Sequence, residues 1–244
     1  RGPYYNWYDL RDLRVLEPAY ISSVDSGNLA GHLIAVRQAC LAIRAAAASA
    51  DAGAERGAEE ARRTLATRLE AIASRAYDLA MEMDFRFLFD ADRMLFAIGY
   101  QQRTHSLDPS YYDLLASEAR LTSFIAVAKN DVPVEHWFHL GRTLTRAGGD
   151  TALVSWSGSM FEYLMPSLVM QSFPNTLLDH SYHGAVQRQI AHGAEHGVPW
   201  GVSESAYNLR DRHLTYQYRA FGVPALALKR RVARDLVVPS YARA

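Results

Sequence analysis

Two long stretches with apolar residues at helical spacing constrain the fold more than any other feature of the sequence. In both, apolar side chains recur every three or four residues, which is the spacing of one face of an α-helix. The first helix is predicted to have Ser26 or Asn28 as its N-cap and to run to about residue 50, and the second to cover residues 58–83. The apolar positions are Leu29, Leu33, Val36, Cys40, Ile43, Ala47, Ala61, Leu65, Leu69, Ile72, Ala76, Leu79 and Met83. We therefore expect two consecutive antiparallel helices, an αα-hairpin.

The remaining segments predict a mainly helical protein with short β-hairpins at its rim. Short apolar runs around a polar or glycine-containing turn are typical of hairpins, and a capping residue before apolar residues at helical spacing is typical of helices. The predicted elements are an ordered loop over residues 4–25, hairpins over 85–98 and 143–156, a helix over 110–129 with Asp108 as N-cap, a short helix ending near Pro166, and a helix over 175–196 that buries Leu178, Tyr182, Val186 and Ile190.

Composition and charge exclude several classes of function. The chain has 26 basic and 26 acidic residues, so no excess positive charge attracts nucleic acid or an anionic membrane surface. Its single cysteine, Cys40, excludes an intrachain disulfide and is interpreted as core packing. No apolar run approaches the roughly 20 residues of a membrane span, so none is expected. A neutral ligand such as a carbohydrate fits this balance.

Residues 199–211, PWGVSESAYNLRD, carry the pattern most typical of a binding site. Glu204 stands between two serines, with Trp200 and Tyr207 on either side, and the glycines and proline just upstream favour a turn. Aromatic rings stack on the apolar faces of sugars, and a carboxylate can attack or protonate at the anomeric centre. The alternative is a surface turn whose glutamate is solvated.

A second carboxylate, Glu118, falls on the predicted buried stripe of the helix over 110–129. Leu114 precedes it by four residues and Leu121 follows it by three. A carboxylate in that position is costly unless it has a partner or faces a wet cavity. One interpretation is a structural glutamate paired with an arginine, although nearby Arg120 points elsewhere at helical spacing. The other is an acid with a raised pKa that donates a proton.

Other polar and aromatic residues allow two interpretations each. Trp156 and Glu162 either contact sugar or serve the core and cap neighbouring amides, while Gln189 lies beside an apolar stripe within reach of the cavity. His192 and His196 are four residues apart, a spacing that can bind metal, but no HExxH pattern accompanies them. Packed or solvated histidines are the favoured interpretation, and the sequence predicts neither a metal site nor a cofactor.

Seven blocks of sequence resemble the glycoamylase-like cyclisation domain of cyclic β-1,2-glucan synthases, over nearly the whole chain. The blocks are YYNWYD, PAYISSVDSGNLAGHL, LDPSYYDLLASEARL, AKNDVPVEHWF, SWSGSMFEYLMPSLVM, RQIAHGAEHGVPWGVSESAYN and LTYQYRAFGVPALALKR. The resemblance implies an (α/α)6 toroid with the sugar cleft at one end. Residues 1–244 would form one partial domain of it, truncated at both ends.

The resemblance also implies a function and a setting. It assigns the acid/base role to Glu118, the nucleophile role to Glu204 and substrate binding to Asp25, in retaining transglycosylation that closes linear β-1,2-glucan into a ring. The implied partners are the glucan chain and the glycosyltransferase and phosphorylase-like domains of the same synthase, at the cytoplasmic face of the bacterial inner membrane, with this fragment itself soluble. The alternatives are an endo-β-1,2-glucanase and a non-catalytic glucan-binding module.

The full set of expected substrate contacts combines both lines of reasoning. Aromatic residues are expected to fill the acceptor subsites, because the acceptor hydroxyl must outcompete water. The candidate substrate-binding residues of all kinds are Asp25, Asn28, Tyr112, Arg120, Trp156, Glu162, Gln189, Trp200, Tyr207 and Tyr216.

Overall fold

The computed structural model describes residues 4–49, 56–212, 216–229 and 236–243. The chain divides into two compact units, the first comprising Arg1–Ser110 and Thr122–Pro133 and the second Tyr111–Leu121 and Val134–Ala244. The helices are α1 (Ser23–Ser49), α2 (Arg56–Glu82), α3 (Arg120–Ala128), α4 (Glu135–His139), α5 (Met160–Leu164) and α6 (Leu177–His196). The strands are β1 (Tyr20–Ser22), β2 (Phe89–Asp90), β3 (Leu95–Ala97), β4 (Gly99–Gln101), β5 (Ser106–Leu107), β6 (Tyr111–Tyr112), β7 (Leu144–Ala147), β8 (Asp150–Leu153), β9 (Ser205–Arg210) and β10 (Tyr216–Arg219).

The first unit is built on the helical hairpin that the sequence predicts. Helices α1 and α2 run antiparallel, because Arg37 lies 4.3 Å over the ring of Tyr77 while Cys40, nearer the end of α1, clusters with Leu69 and Ala73, nearer the start of α2. The predicted end of the first helix at residue 50 and the connection through residue 55 lie outside the described residues. Cys40 is buried in this cluster, in agreement with its expected packing role.

The apolar stripe predicted for α1 is wrong in detail, since Leu29, Val36 and Ile43 are all exposed. The helix begins at Ser23, before either predicted N-cap, and its buried face near that end is made of small residues. A Cβ atom on Gly27 would lie only 2.0 Å from Thr122 Oγ1. Close backbone approach, rather than large apolar side chains, therefore packs the start of this helix.

Helix α1 also meets the length and composition criteria of a membrane span, against the expectation that no such segment exists. The buried helices of soluble proteins and cleaved signal sequences meet the same criteria. This property alone assigns no location to the chain.

Short strands complete the first unit. Strands β2 and β3 form the predicted hairpin in shortened form, with Phe89 opposite Phe96 and Asp90 opposite Leu95. A second sheet has the order β1-β4-β5, with both neighbouring pairs antiparallel. The residues of this second sheet lack a clear alternating pattern, and the sequence did not predict it.

The second unit contains the other predicted hairpin, with α6 packed closely on it. Strands β7 and β8 pair in antiparallel register around Gly148, whose φ of 71° is readily adopted only by glycine. The Ser181 hydroxyl accepts a hydrogen bond from the Leu153 amide at 3.1 Å. A Cβ atom on Gly184 would lie 2.5 Å from the Thr151 carbonyl oxygen, so the helix approaches β8 at backbone distance.

The helix predicted over residues 110–129 is wrong in its first half, since α3 begins only at Arg120. The backbone groups of the preceding residues bond elsewhere: the Gly141 amide donates to the Asp113 carbonyl at 2.7 Å, and the Leu115 amide donates to the Gly141 carbonyl at 3.0 Å. Backbone groups that are satisfied across the fold are not available for helical bonds. Glu118 consequently lies on the turn that leads into α3 and not on a helical stripe.

The predicted (α/α)6 toroid is also wrong. Such a toroid consists of six helical hairpins, whereas the described residues form six helices in total, of which α1 and α2 make the one long pair. Four small sheets account for much of the remaining regular structure in those ranges. The described residues form a mixed α and β structure, with Glu118 on a turn and Glu204 in an extended segment.

The close packing of α1 predicts the effect of adding one methyl group. Gly27→Ala should lower the free energy of unfolding by about 2 kcal/mol, because the new Cβ must displace Thr122. Urea denaturation measures this change. Gly57→Ala in α2 is the matched control, since its Cβ would meet nothing within 4 Å, and it should be neutral or slightly stabilising. Equal effects of the two substitutions would contradict the packing argument.

Candidate active site

Three glutamates from separate segments of the second unit share one electrostatic environment. Glu118 lies on the turn before α3, Glu162 lies in α5, and Glu204 lies in the extended segment that leads into β9. The negative charges of Glu162 and Glu204 both raise the pKa of Glu118. The fold therefore brings the two glutamates singled out in the sequence within electrostatic range of each other.

Glu162 is held in a cage of serine donors. Its Oε2 accepts hydrogen bonds from the hydroxyls of Ser155 at 3.0 Å, Ser157 at 2.5 Å and Ser159 at 3.1 Å. The amides of Ser157 and Ser159 donate to the same oxygen at 3.2 and 2.9 Å. Ser159 and Glu162 also form a capping box at the start of α5. Of the two interpretations left open by the sequence, the structure shows the capping of neighbouring amides.

Glu118 is an acid whose surroundings raise its pKa. Burial and the charges of Glu162 and Glu204 raise its pKa to about 8, although a hydrogen bond from the Ser117 hydroxyl at 3.2 Å opposes the rise. Burial raises a carboxyl pKa because it penalises the charged form, and like charges nearby act in the same direction. The raised pKa favours the protonated form of Glu118.

Glu204 has a different environment, in which tyrosine hydroxyls act directly. The Tyr218 hydroxyl donates to the Glu204 carboxylate, and the Tyr241 hydroxyl donates to the Glu204 main-chain carbonyl at 2.6 Å. Burial raises the pKa of Glu204, the hydrogen bond from Tyr218 opposes that rise, and the charge of Glu162 adds to it. A donor aimed at the carboxylate favours its ionised form, and among the described residues no tyrosine donates to Glu118 in this way.

A cavity of about 540 Å³ opens in front of Glu204. Its walls combine aromatic rings, hydroxyls and one carboxylate, which is the set of groups that suits a sugar. Glu118 is not among the lining residues. These are Phe161, Glu204, Ser205, Ala206, Tyr218, Pro239, Ser240 and Tyr241.

Arg120 holds the turn of Glu118 against the helix of Glu162. Its guanidinium donates to the main-chain carbonyls of Ser117 at 3.0 Å, Glu162 at 3.2 Å and Tyr163 at 2.5 Å. The side chain is only 1% exposed, and burial lowers its pKa. Expected from the sequence as a substrate contact, Arg120 occupies a position in which its donors bind the protein backbone.

Gln189 holds the segment that precedes Glu204 through hydrogen bonds to its backbone. Its Nε2 donates to the carbonyls of Gly158 at 3.1 Å and Val202 at 3.0 Å, and its Oε1 accepts from the Val202 amide at 2.8 Å. The side chain is fully buried. Gln189 thus fixes the backbone two residues before Glu204 and, at the same time, the serine loop around Glu162.

The expected aromatic contacts are spread through the second unit. Trp156 is exposed and donates from Nε1 to the Asp113 carboxylate at 3.0 Å, so it is not a core residue. Tyr207 in β9 packs edge-on against Phe221, with ring centroids 5.2 Å apart. Trp200 and Tyr112 are partly buried, and the side chain of Tyr216 in β10 lies outside the described part of the chain.

Two expected substrate contacts belong to the first unit. Asp25 lies in the first turn of α1, where its exposed carboxylate accepts a hydrogen bond from Asn6 Nδ2 at 2.6 Å. The Asn28 side-chain oxygen is buried and has no hydrogen-bond partner among the described residues.

Sequence reasoning missed the residues that act most directly on Glu204. The substrate contacts expected from the sequence include Tyr216 and do not include Tyr218. Residues two apart on a strand share a face, so the YQY pattern is compatible with either tyrosine. The β9–β10 pairing has a register irregularity between these two tyrosines. Tyr241 lies near the end of the sequence, in a segment to which no element was assigned.

Comparison with known proteins points to one synthase. The cyclic β-(1,2)-glucan synthase NdvB of Rhizobium meliloti (strain 1021) is 38% identical over 348 residues, an alignment that covers 99% of the chain and 12% of that synthase. This similarity supports a relation between the chain and that synthase. No family model matches the chain. Because the alignment is longer than the 244 residues of the chain, the synthase carries internal stretches that this chain lacks.

The serine cage predicts that Glu162 contributes to stability. In the structure, the Ser157 amide donates to Glu162 Oε1 and the Ser159 amide donates to Oε2. Glu162→Gln removes the charge and replaces one of these acceptor oxygens with an NH₂ group, which would face a backbone N–H. The free energy of unfolding should fall by about 2 kcal/mol, the range of a buried hydrogen bond to a charged group. Urea denaturation provides the measurement, with Glu135→Gln as the control on an exposed glutamate of the same unit. If both variants unfold at the same urea concentration, the cage is not stabilising.

Proposed function

We propose that this chain performs retaining transglycosylation on linear β-1,2-glucan, with Glu118 as acid/base and Glu204 as nucleophile, and that cyclic β-1,2-glucan is the product. The observation that carries the assignment is the contrast between the two acids. Burial and two neighbouring charges raise the pKa of Glu118 to about 8, while a tyrosine hydroxyl donates directly to the Glu204 carboxylate. The similarity to a cyclic β-(1,2)-glucan synthase supports the choice of substrate.

The reaction balances over two displacements. In the first, a Glu204 carboxylate oxygen bonds to the anomeric carbon as the glycosidic bond breaks, and the departing oxygen takes the proton of Glu118. In the second, a hydroxyl at the non-reducing end of the same fragment attacks the anomeric carbon and gives its proton to Glu118, while Glu204 leaves as a carboxylate. Two inversions give net retention, and both glutamates return to their starting protonation states.

The division of roles follows from the surroundings of each acid. A general acid must hold its proton at working pH, which suits the raised pKa of Glu118. A nucleophile must be ionised, which the hydrogen bond from Tyr218 favours for Glu204. When two acids repel each other electrostatically, the first proton leaves the site whose charge is better stabilised. The tyrosine donor makes Glu204 that site.

The proposal includes a setting and a set of sugar contacts. Phe161, Tyr218 and Tyr241 at the cavity, with Trp156 and Tyr207 elsewhere in the unit, are the aromatic surfaces proposed to bind glucose rings. We place the activity within a larger membrane-associated synthase, beside glycosyltransferase and phosphorylase-like domains on the cytoplasmic side. That setting is proposed because the chain spans 12% of the related synthase.

Product analysis tests the function. The chain incubated with linear β-1,2-glucan should yield cyclic products, separated from linear ones by chromatography and mass. Glu118→Gln and Glu204→Gln should each reduce the rate by at least about a hundredfold, since general-acid catalysis alone contributes on that scale. Glu135→Gln is the control and should retain the wild-type rate. Shortened linear products without rings would indicate a glucanase, and unchanged linear glucan would contradict catalysis by this chain.

Azide distinguishes the two roles. With an aryl glycoside of a β-1,2-linked oligosaccharide, whose leaving group needs little acid assistance, azide should restore turnover to both alanine variants. Glu204→Ala should give the α-glycosyl azide, because azide replaces the nucleophile, whereas Glu118→Ala should give the β-azide, because azide attacks the ester on Glu204. The anomer is identified by NMR. The opposite pair of anomers would reverse the assignment.

The contrast between the acids also predicts the pH dependence. Activity should fall above about pH 8, as Glu118 loses its proton, and at low pH, as Glu204 gains one. Tyr218→Phe removes a hydrogen bond that lowers the Glu204 pKa, so that pKa rises and the acid limb of kcat/KM should move upward by about one pH unit. Tyr241→Phe is the control, because its hydroxyl binds the main-chain carbonyl. A common shift in both variants would show that Tyr218 has no specific effect on the carboxylate.

A further inference from the structure

The last turn of α6 carries a second cluster of polar groups, separate from the three glutamates. His192, Glu195 and His196 place their potential ligand atoms within 4.8 Å of one another. The rings of the two histidines have centroids 4.3 Å apart. Residues three and four apart project from the same side of a helix, which is how helical metal sites are built.

His192 provides an independent sign of a missing ligand. Its side chain is 2% exposed, and both ring nitrogens are buried with no hydrogen-bond partner among the described residues. Burying polar atoms without partners costs free energy, so a native protein seldom leaves both nitrogens of one imidazole unsatisfied. Its Nδ1 lies 3.8 Å from Glu195 Oε2, too far for a hydrogen bond.

His196 has the tautomer that a metal requires. Its Nδ1 lies 2.9 Å from the main-chain carbonyl oxygen of His192. A carbonyl oxygen only accepts, so Nδ1 carries the hydrogen and Nε2 carries the lone pair. A hydrogen bond from the other ring nitrogen to a backbone carbonyl is the usual support for a metal-binding histidine.

Glu195 completes a set of two imidazoles and one carboxylate. Arg188 binds it with Nη1–Oε1 and Nη2–Oε2 distances of 2.7 and 3.1 Å. Each carboxylate oxygen keeps a further lone pair, so this ion pair orients the ligand without using it up. Ligands about 2.0–2.1 Å from a tetrahedral ion lie roughly 3.4 Å apart, and the 3.8 Å between His192 Nδ1 and Glu195 Oε2 is close to that value.

We propose that His192, Glu195 and His196 bind a divalent transition-metal ion of the Zn²⁺ class, with water in the remaining coordination position. Two imidazoles and a carboxylate are donors that Zn²⁺ accepts readily. The ion would stabilise the end of α6, where the Val198 amide bonds the Gly193 carbonyl at 3.0 Å and starts the segment that leads to Glu204. This site is independent of the proposed glycoside chemistry.

Metal stoichiometry tests the proposal. Protein without an affinity tag, equilibrated with ZnSO₄ and then dialysed, should retain one Zn²⁺ per chain by mass spectrometry of the metal. The exposed residues are the ones to change: His196→Gln and Glu195→Gln should each weaken Zn²⁺ binding at least tenfold in a chelator competition. Cobalt bound in place of zinc should show the visible absorption of a tetrahedral ion, and His196→Gln should lose it.

The same helix offers a matched control. His183 also has its Nδ1 2.9 Å from a carbonyl four residues earlier and 3.8 Å from the Asp179 carboxylate, but it belongs to no three-residue cluster within the described ranges. The His183→Gln variant should retain zinc. Zinc should raise the melting temperature of the wild type and of His183→Gln, and it should not raise that of His196→Gln. Zinc-free wild-type protein after dialysis, or equal retention by both histidine variants, would overturn the proposal.

Discussion

The buried guanidinium of Arg120 is the interaction on which the candidate site depends most. One side chain bonds the turn that carries Glu118 and the helix that carries Glu162, two segments more than 40 residues apart in the chain. Neither segment could hold that position by its own secondary structure, since one is a turn and the other a five-residue helix. Burying a cation is costly, and the acceptors around it offset that cost only because several carbonyls converge on it.

The same principle governs the surroundings of Gln189 and Glu162 in this unit. Gln189 fixes the backbone before Glu204, and the serines around Glu162 satisfy a carboxylate that is 3% exposed. These hydrogen bonds hold the Gln189 and Glu162 side chains in one arrangement. Glu118 is the exception, with one serine donor against two repelling charges. Burial first, and then the charges of Glu162 and Glu204, raise its pKa.

The sequence predicted the elements whose signals are local. The helical hairpin and both predicted β-hairpins follow from periodicity and turn residues, and the structure confirms them. The helix over 110–129 failed because its first half bonds to Gly141, a partner that no local pattern reveals. Glu118 was thus singled out as a buried acid for a reason that does not hold, since it lies on a turn and is half-buried.

The toroid was implied by resemblance alone and not by a local pattern in the sequence. Conserving short blocks around a site does not require conserving the helices between them, and the related synthase carries internal stretches that this chain lacks. Resemblance in the blocks therefore carries information about residue identities at the site. It carries less about the number of helical hairpins, because these depend on the length of chain between the blocks.

Helix α6 shows why hydrophobic periodicity identified helices more reliably than their buried faces. The predicted face contains Leu178, Tyr182, Val186 and Ile190, which are partly or fully exposed. The buried face consists of small and polar residues, namely Ser181, Gly184, Ala185, Gln189, His192 and Gly193. A helix that packs against irregular backbone must approach closely and must satisfy amides and carbonyls, and large apolar side chains do neither. This face approaches strand β8 through Ser181 and Gly184 and bonds the segment before Glu204 through Gln189.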